Sequence, residues 1–183
     1  TSQDESYMEE AIELAALGRG KTSPNPMVGA IVVSSLGTTI GTGFHERAGG
    51  DHAEVKALEE AGELALGATM YCTLEPCCHR GRTGPCGPRI VASGVERVVI
   101  SMLDPNPLVN GRGVSYLRGN GLRVDVGLKG KEATRLNEAF ITWVTLGRPF
   151  ITMKIAVSLD GRIAESEGKR TTLTGTAANL SVH

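Results

Sequence analysis

The feature that most constrains this chain is a repeated exchange between two hydrophobic periods. Residues 28–33, 68–74 and 97–102 are short apolar runs, the first and last rich in Val and Ile, bounded by Gly, Pro or polar residues, and read as strands. Between and around them the apolar spacing changes to three or four. Residues 6–18 place Tyr7, Met8, Ala11, Ile12, Leu14, Ala15 and Leu17 on one helical face, closed by Gly18 and Gly20. A helix is expected over about 52–63, another starting near 85 and ending at Gly94, a third around 114–118, and a long one over 131–146 with Ala133, Leu136, Ala139, Phe140 and Trp143 on one side. A short strand is expected near 123–126. Strands alternating with helices give an α/β layered fold with helices on both sheet faces. Residues 39–44 return from 28–33 through a turn at 34–37, so the sheet is mixed rather than parallel.

After Gly147-Arg-Pro149 the pattern restarts, with an apolar strand expected over 150–157. The roughly 35 residues beyond the break are too few for an independent core. The chain therefore divides into a domain over 1–146 and the start of a second over 147–183. Nineteen Lys and Arg against 20 Asp and Glu argue against a nucleic-acid protein held by phosphate contacts. Every apolar run is broken well before roughly 18 residues, which argues against a membrane span. The polar, acidic start is unlike an export signal, and a cytoplasmic location is expected.

All four cysteines, at 72, 77, 78 and 86, fall in one short stretch. A disulfide scaffold spreads its cysteines, so this cluster reads as metal ligands or reactive thiols. Cys72 lies within a strand run and reads as a small core residue; Cys78 reads as a neighbour of a ligand. His52, Cys77 and Cys86 form an imidazole–thiolate–thiolate set, which suits Zn2+ with a fourth position open for water. Glu54 supplies a group for proton transfer without binding metal. His52 and Glu54 converge only in the first turn of a helix, and Asp51 is expected as its N-cap. His-x-Glu, then Pro-Cys and a later Cys, is the signature of zinc nucleobase deaminases. Eight residues separate Cys77 from Cys86, and that insert carries His79, Arg80 and Arg82, which suit an anionic group such as a phosphate. The four clustered cysteines also suit a structural zinc knot, and a deaminase for guanine, cytidine or transfer-RNA adenosine shares the same metal machinery.

The segments Thr22-Ser-Pro-Asn-Pro-Met-Val-Gly29, His52-Ala-Glu54, Thr73-Leu-Glu-Pro-Cys77, Gly81-Arg-Thr-x-Pro-Cys86 and Asp104-Pro-Asn-Pro107, in this order, resemble the riboflavin-biosynthesis deaminase-reductase family. Lys154-x-x-x-Ser-Leu-Asp-Gly-Arg-Ile-Ala164 resembles the opening of its reductase domain. The resemblance implies a cytidine-deaminase-like three-layer α/β/α fold, followed by the first strand of a dihydrofolate-reductase-like domain. It implies deamination of 2,5-diamino-6-ribosylamino-4(3H)-pyrimidinone 5′-phosphate, with Asn25 on the pyrimidine and His45 near the ring or ribose. His79 and Arg82 would reach the phosphate, and Asp104 and Asn106 would line the pocket. NADPH is implied only for a complete reductase domain, and self-association is a family expectation. Two departures stand out. Gly84 takes a position where the family usually has Pro, and Gly168-Lys-Arg-Thr-Thr-Leu-Thr174 lacks the family's usual Ser and Trp.

Overall fold

In the computed structural model, residues 1–78, 84–107, 109–168 and 171–182 are described. The chain separates into two units, Thr1–Phe150 and Ile151–His183. The first is built on a five-stranded sheet: β1 (Gly29–Val33), β2 (Thr39–Phe44), β3 (Thr69–Leu74), β4 (Arg97–Met102) and β5 (Arg123–Val126), in the order β2-β1-β3-β4-β5. β1 runs antiparallel to both β2 and β3, whereas β3, β4 and β5 are parallel. The start of β1 and the ends of β2, β3 and β4 therefore lie along one rim of the sheet.

Strand alternation sends side chains to two faces. Ile31, Val33, Tyr71 and Val99 pack with Met8 and Ala11 of α1 (Ser2–Ala16). Ala30, Val32, Met70, Cys72, Val98 and Ile100 pack on the other face with α2 (Ala53–Ala61), α3 (Cys86–Ala92) and α4 (Arg112–Gly119). Cys72 is fully buried in this second layer, as a small core residue. The two faces make the expected α/β/α layering. β2 and α2 approach at backbone distance, because a Cβ at Gly41 would lie 2.1 Å from the Ala57 carbonyl oxygen and one at Gly43 2.3 Å from that of Ala53. Glycine at these two positions lets the start of α2 sit against the sheet.

α1 begins earlier than its apolar spacing shows, because Thr1 and Asp4 form a reciprocal capping box. Asp4 also accepts hydrogen bonds from the Tyr71 hydroxyl at 2.6 Å and from Arg97 Nη1 at 2.7 Å, tying the helix to β3 and β4. The continuous helix expected over 131–146 is two helices, α5 (Gly130–Leu136) and α6 (Glu138–Leu146), joined at Asn137. The Asn137 backbone leaves the helical region at ψ 19° while its buried side chain turns to the loop before β1. Trp143, expected on the apolar face, is 56% exposed.

Residues 150–157 form neither strand nor helix, against expectation. A strand exists through its ladder partner, and no described residue pairs with this run. A turn over 158–162 follows, closed by the Ser158 N–H on the Arg162 carbonyl at 2.8 Å, and then α7 (Thr176–Val182). No helix among the described residues is long and apolar enough to cross a membrane.

Candidate metal centre and its pocket

Three pieces of backbone bring the donor atoms together. β3 ends at Leu74 and runs directly into Glu75-Pro-Cys77, α3 starts at Cys86, and His52 is the N-cap of α2. The cap falls one residue later than the expected Asp51. His52 makes no capping hydrogen bond; its Nδ1 instead lies 3.1 Å from Cys86 Sγ and 3.5 Å from Cys77 Sγ. The Cys86 backbone N–H donates to Cys77 Sγ at 3.3 Å. One donor atom from each of the three residues lies within 4.8 Å of the others, the only such group of three among the described residues. Neither Cys72 nor Cys78 belongs to it.

The electrostatics of the metal-free group match this donor set. Cys77 is pushed down to about 4, chiefly by the hydrogen bond from the Cys86 thiol and also by His52. Cys86 is pushed up by that same thiolate neighbour and by burial, so one proton stays on the pair. His52 is raised by the Cys77 thiolate. A cluster with Cys86 buried and His52 and Cys77 partly buried, in which one thiol is held well below its ordinary range beside an imidazole nitrogen, fits a thiophilic divalent cation, and Zn2+ is the ion that tetrahedral sulfur–nitrogen sites select.

Glu54, the second residue of α2, is 3% exposed, and burial raises its carboxyl above the ordinary range. It shares with His52 and Cys77 a cavity of about 530 Å3, whose walls include Asn25, His45, Asp104, Asn106, Val109 and Phe140. Four of the residues singled out in the sequence therefore face the same space as the donors. His79 and Arg82 lie outside the described residues.

Each wall is anchored. Asn25 lies in a loop whose Ser23–Pro24 bond is cis. Its side-chain nitrogen is 3.0 Å from His45 Nε2, and His45 Nδ1 is 3.0 Å from the Asp51 carbonyl oxygen. Farther along that loop, the Met27 N–H donates to Asn137 Oδ1 at 2.8 Å and the Met27 carbonyl accepts from Asn137 Nδ2 at 2.9 Å. One side-chain amide thus stands in for a neighbouring strand. The opposite wall is held by Glu75, 3% exposed, whose carboxylate accepts from the backbone N–H groups of Asp104 (3.1 Å), Gly111 (2.9 Å) and Val114 (3.1 Å). Asp104 Oδ1 in turn accepts from the Asn106 N–H at 2.8 Å. The fit of α4 beneath this carboxylate is close: a Cβ at Gly113 would lie 2.1 Å from the Pro76 carbonyl oxygen.

Glu75 and Asn137 are the residues that sequence reasoning passed over. Glu75 stood inside the Thr73–Cys77 motif with no role. The signal for Asn137 was a polar residue interrupting an apolar helical face.

Residues 1–102 match the family model of the cytidine and deoxycytidylate deaminase zinc-binding region. The chain is 51% identical over 180 residues to riboflavin biosynthesis protein RibD of Aquifex aeolicus, covering 98% of this chain and 50% of that protein. The structure of Acinetobacter baumannii RibD superposes with a TM-score of 0.90 at 47% identity, over 99% of this chain and 51% of that one. A diaminohydroxyphosphoribosylaminopyrimidine deaminase/5-amino-6-(5-phosphoribosylamino)uracil reductase from Thermotoga maritima gives 0.90 at 45% identity, over 99% and 52%. The chain spans about half the length of the relatives it matches.

Proposed function

The chain belongs to the cytidine and deoxycytidylate deaminase zinc-binding family, and from that premise we propose that it hydrolyses the exocyclic amine of 2,5-diamino-6-ribosylamino-4(3H)-pyrimidinone 5′-phosphate. The products are 5-amino-6-(5-phosphoribosylamino)uracil and ammonia. The observation that carries this reading is the convergence of His52, Cys77 and Cys86, with His52 and Cys77 lining one cavity with buried Glu54. The choice of substrate is supported by the RibD relatives and by the activity for which the Thermotoga protein is named.

His52 Nδ1, Cys77 Sγ and Cys86 Sγ would hold the zinc. When bound, zinc supplies Lewis acidity that lowers the pKa of a coordinated water to roughly 7. The residues of this chain provide the rest. Glu54 takes a proton from the attacking water and delivers it to the ring nitrogen, then passes the second to the departing amine. One C–O bond forms, one C–N bond breaks, and the nitrogen leaves as ammonia. Burial keeps Glu54 out of bulk water, so the proton it receives stays at the reacting ring. Asn25, Asp104 and Asn106 bind and orient the pyrimidine, and His79 and Arg82 take the phosphate.

The segment 147–183 is, on this reading, the opening of a reductase domain, and this chain is not expected to reduce the product. Self-association belongs to the same reading and is measured by sedimentation. The deciding experiment is ammonia release from the ribotide, with cytidine and guanine in parallel, on protein of measured zinc content. Turnover of the ribotide alone, abolished in Glu54→Gln with zinc retained, is the expected result. Turnover of cytidine or guanine instead overturns the substrate, and stoichiometric zinc with no turnover of any of the three overturns the proposal.

A further inference from the structure

The Asn25–His45–Asp51 chain contains more information than three contacts on a wall. His45 is 3% exposed, and both its ring nitrogens are engaged. Its Nδ1 lies 3.0 Å from the Asp51 carbonyl oxygen, an atom with lone pairs only. Nδ1 must therefore carry the proton, and in the neutral ring Nε2 is left bare. That bare nitrogen is 3.0 Å from the side-chain amide of Asn25, and it accepts an N–H. With the amide turned the other way, Oδ1 would set lone pair against lone pair. The main chain of Asn25 adds no freedom: it stands between Pro24 and Pro26, with its own N–H on the Thr22 carbonyl at 2.8 Å. No described residue hydrogen-bonds Asn25 Oδ1.

We propose that His45 is a positioning residue: held in its Nδ1–H form by the Asp51 carbonyl, it fixes the Asn25 amide so that Oδ1 is the atom offered to the ligand. The pocket therefore reads a hydrogen-bond donor at this point, a ring N–H or an exocyclic amine, and disfavours an edge that offers only an acceptor. This deepens the deaminase reading and rests on it for the identity of the ligand. The relay ends one residue before His52, so the backbone that places a metal ligand also sets the polarity of the wall facing the base. His45 acts here through Asn25 and exchanges no proton with the ring.

Two measurements test the relay. In zinc-loaded protein labelled with 15N at histidine, the imidazole nitrogen shifts of His45 report its tautomer without any substrate. A protonated Nδ1 with a bare Nε2 is expected; a protonated Nε2, alone or with Nδ1, overturns the proposal. The second is a double-mutant comparison of ribotide turnover in Asn25→Leu, His45→Phe and the pair, each with zinc content and Tm recorded. Loss of one hydrogen bond is expected to raise KM about tenfold in either single variant, with kcat changed far less. Because His45 works through Asn25, the double variant is expected to match Asn25→Leu. Losses that multiply mean that His45 meets the substrate independently, and the relay falls. If the wild-type chain does not turn over the ribotide, or His45→Phe loses its zinc, the tautomer measurement decides alone. A failure of the substrate assignment is thereby kept apart from a failure of the relay.

Discussion

Replacing Glu75 isolates the anchoring of one pocket wall from the metal chemistry beside it. Its carboxylate serves three backbone donors, two on Oε2 (Asp104 and Gly111) and one on Oε1 (Val114). In Glu75→Gln the amide oxygen can keep the Asp104 and Gly111 pair, which sets the new NH2 against the Val114 N–H, the most deeply buried of the three. A buried donor left without an acceptor costs about 1–3 kcal/mol. Two half-buried N–H groups donate to a neutral oxygen instead of a charged one, a smaller loss because water partly reaches them. The sum is roughly 2–3 kcal/mol, and at about 2–4 °C per kcal/mol for a domain of this size it lowers Tm by about 4–12 °C. The assay is thermal unfolding of the zinc-loaded protein, paired with amide hydrogen exchange. Val114 is expected to lose protection most, Asp104 and Gly111 less, with zinc content unchanged. A Tm within about 1 °C of wild type, with all three amides still protected, would refute the reasoning, since it would mean that the carboxylate anchors nothing.

Three other outcomes follow from the packing. Arg97, then Tyr71 and Thr1, hold the Asp4 carboxyl far below its ordinary range. A depressed folded-state value stabilises the protein above the unfolded carboxyl range near pH 4 and is lost as pH falls through the folded value, so Asp4→Asn should cost stability at pH 7 and narrow its gap from wild type in urea titrations taken progressively below pH 4. Gly43→Ala would press a methyl group against the Ala53 carbonyl oxygen at 2.3 Å; the start of α2 must shift, and zinc affinity measured by chelator competition should fall at least tenfold, an effect of about 1.4 kcal/mol. Cys72→Ala should keep full zinc content and turnover, because Cys72 is a buried core residue outside the donor group, with only a modest fall in Tm.

The parts of this structure that were legible in the sequence are those where residue type and spacing carry the physics. The apolar runs became β1, β3 and β4: Val and Ile mark β1 and β4, and a short apolar run with Tyr71 and two threonines marks β3. The donor residues could be named because few side chains bind zinc and fewer occur in this order. What stayed hidden depends on partners far away in the chain. Asn137 ends a helix by serving Met27, 110 residues earlier, and periodicity within 131–146 holds no trace of that. Glu75 stood in plain sight, but its partners are main-chain N–H groups, and every residue except proline has one. The run over 150–157 has the composition of a strand and lacks a described neighbour to make it one.

The sheet order has a consequence for how this chain can be taken apart. Apart from Phe140 and Val144 of α6, the walls and donors of the pocket hang from one rim, where β1 begins and β2, β3 and β4 end. The opposite rim carries the link 34–38 between β1 and β2 and the last few residues before β3, β4 and β5. None of those residues lines the cavity. Chain continuity across that far rim is a matter of connectivity alone. The backbone could be opened between β1 and β2, or lengthened there by an inserted peptide, while the zinc and the base are held as before.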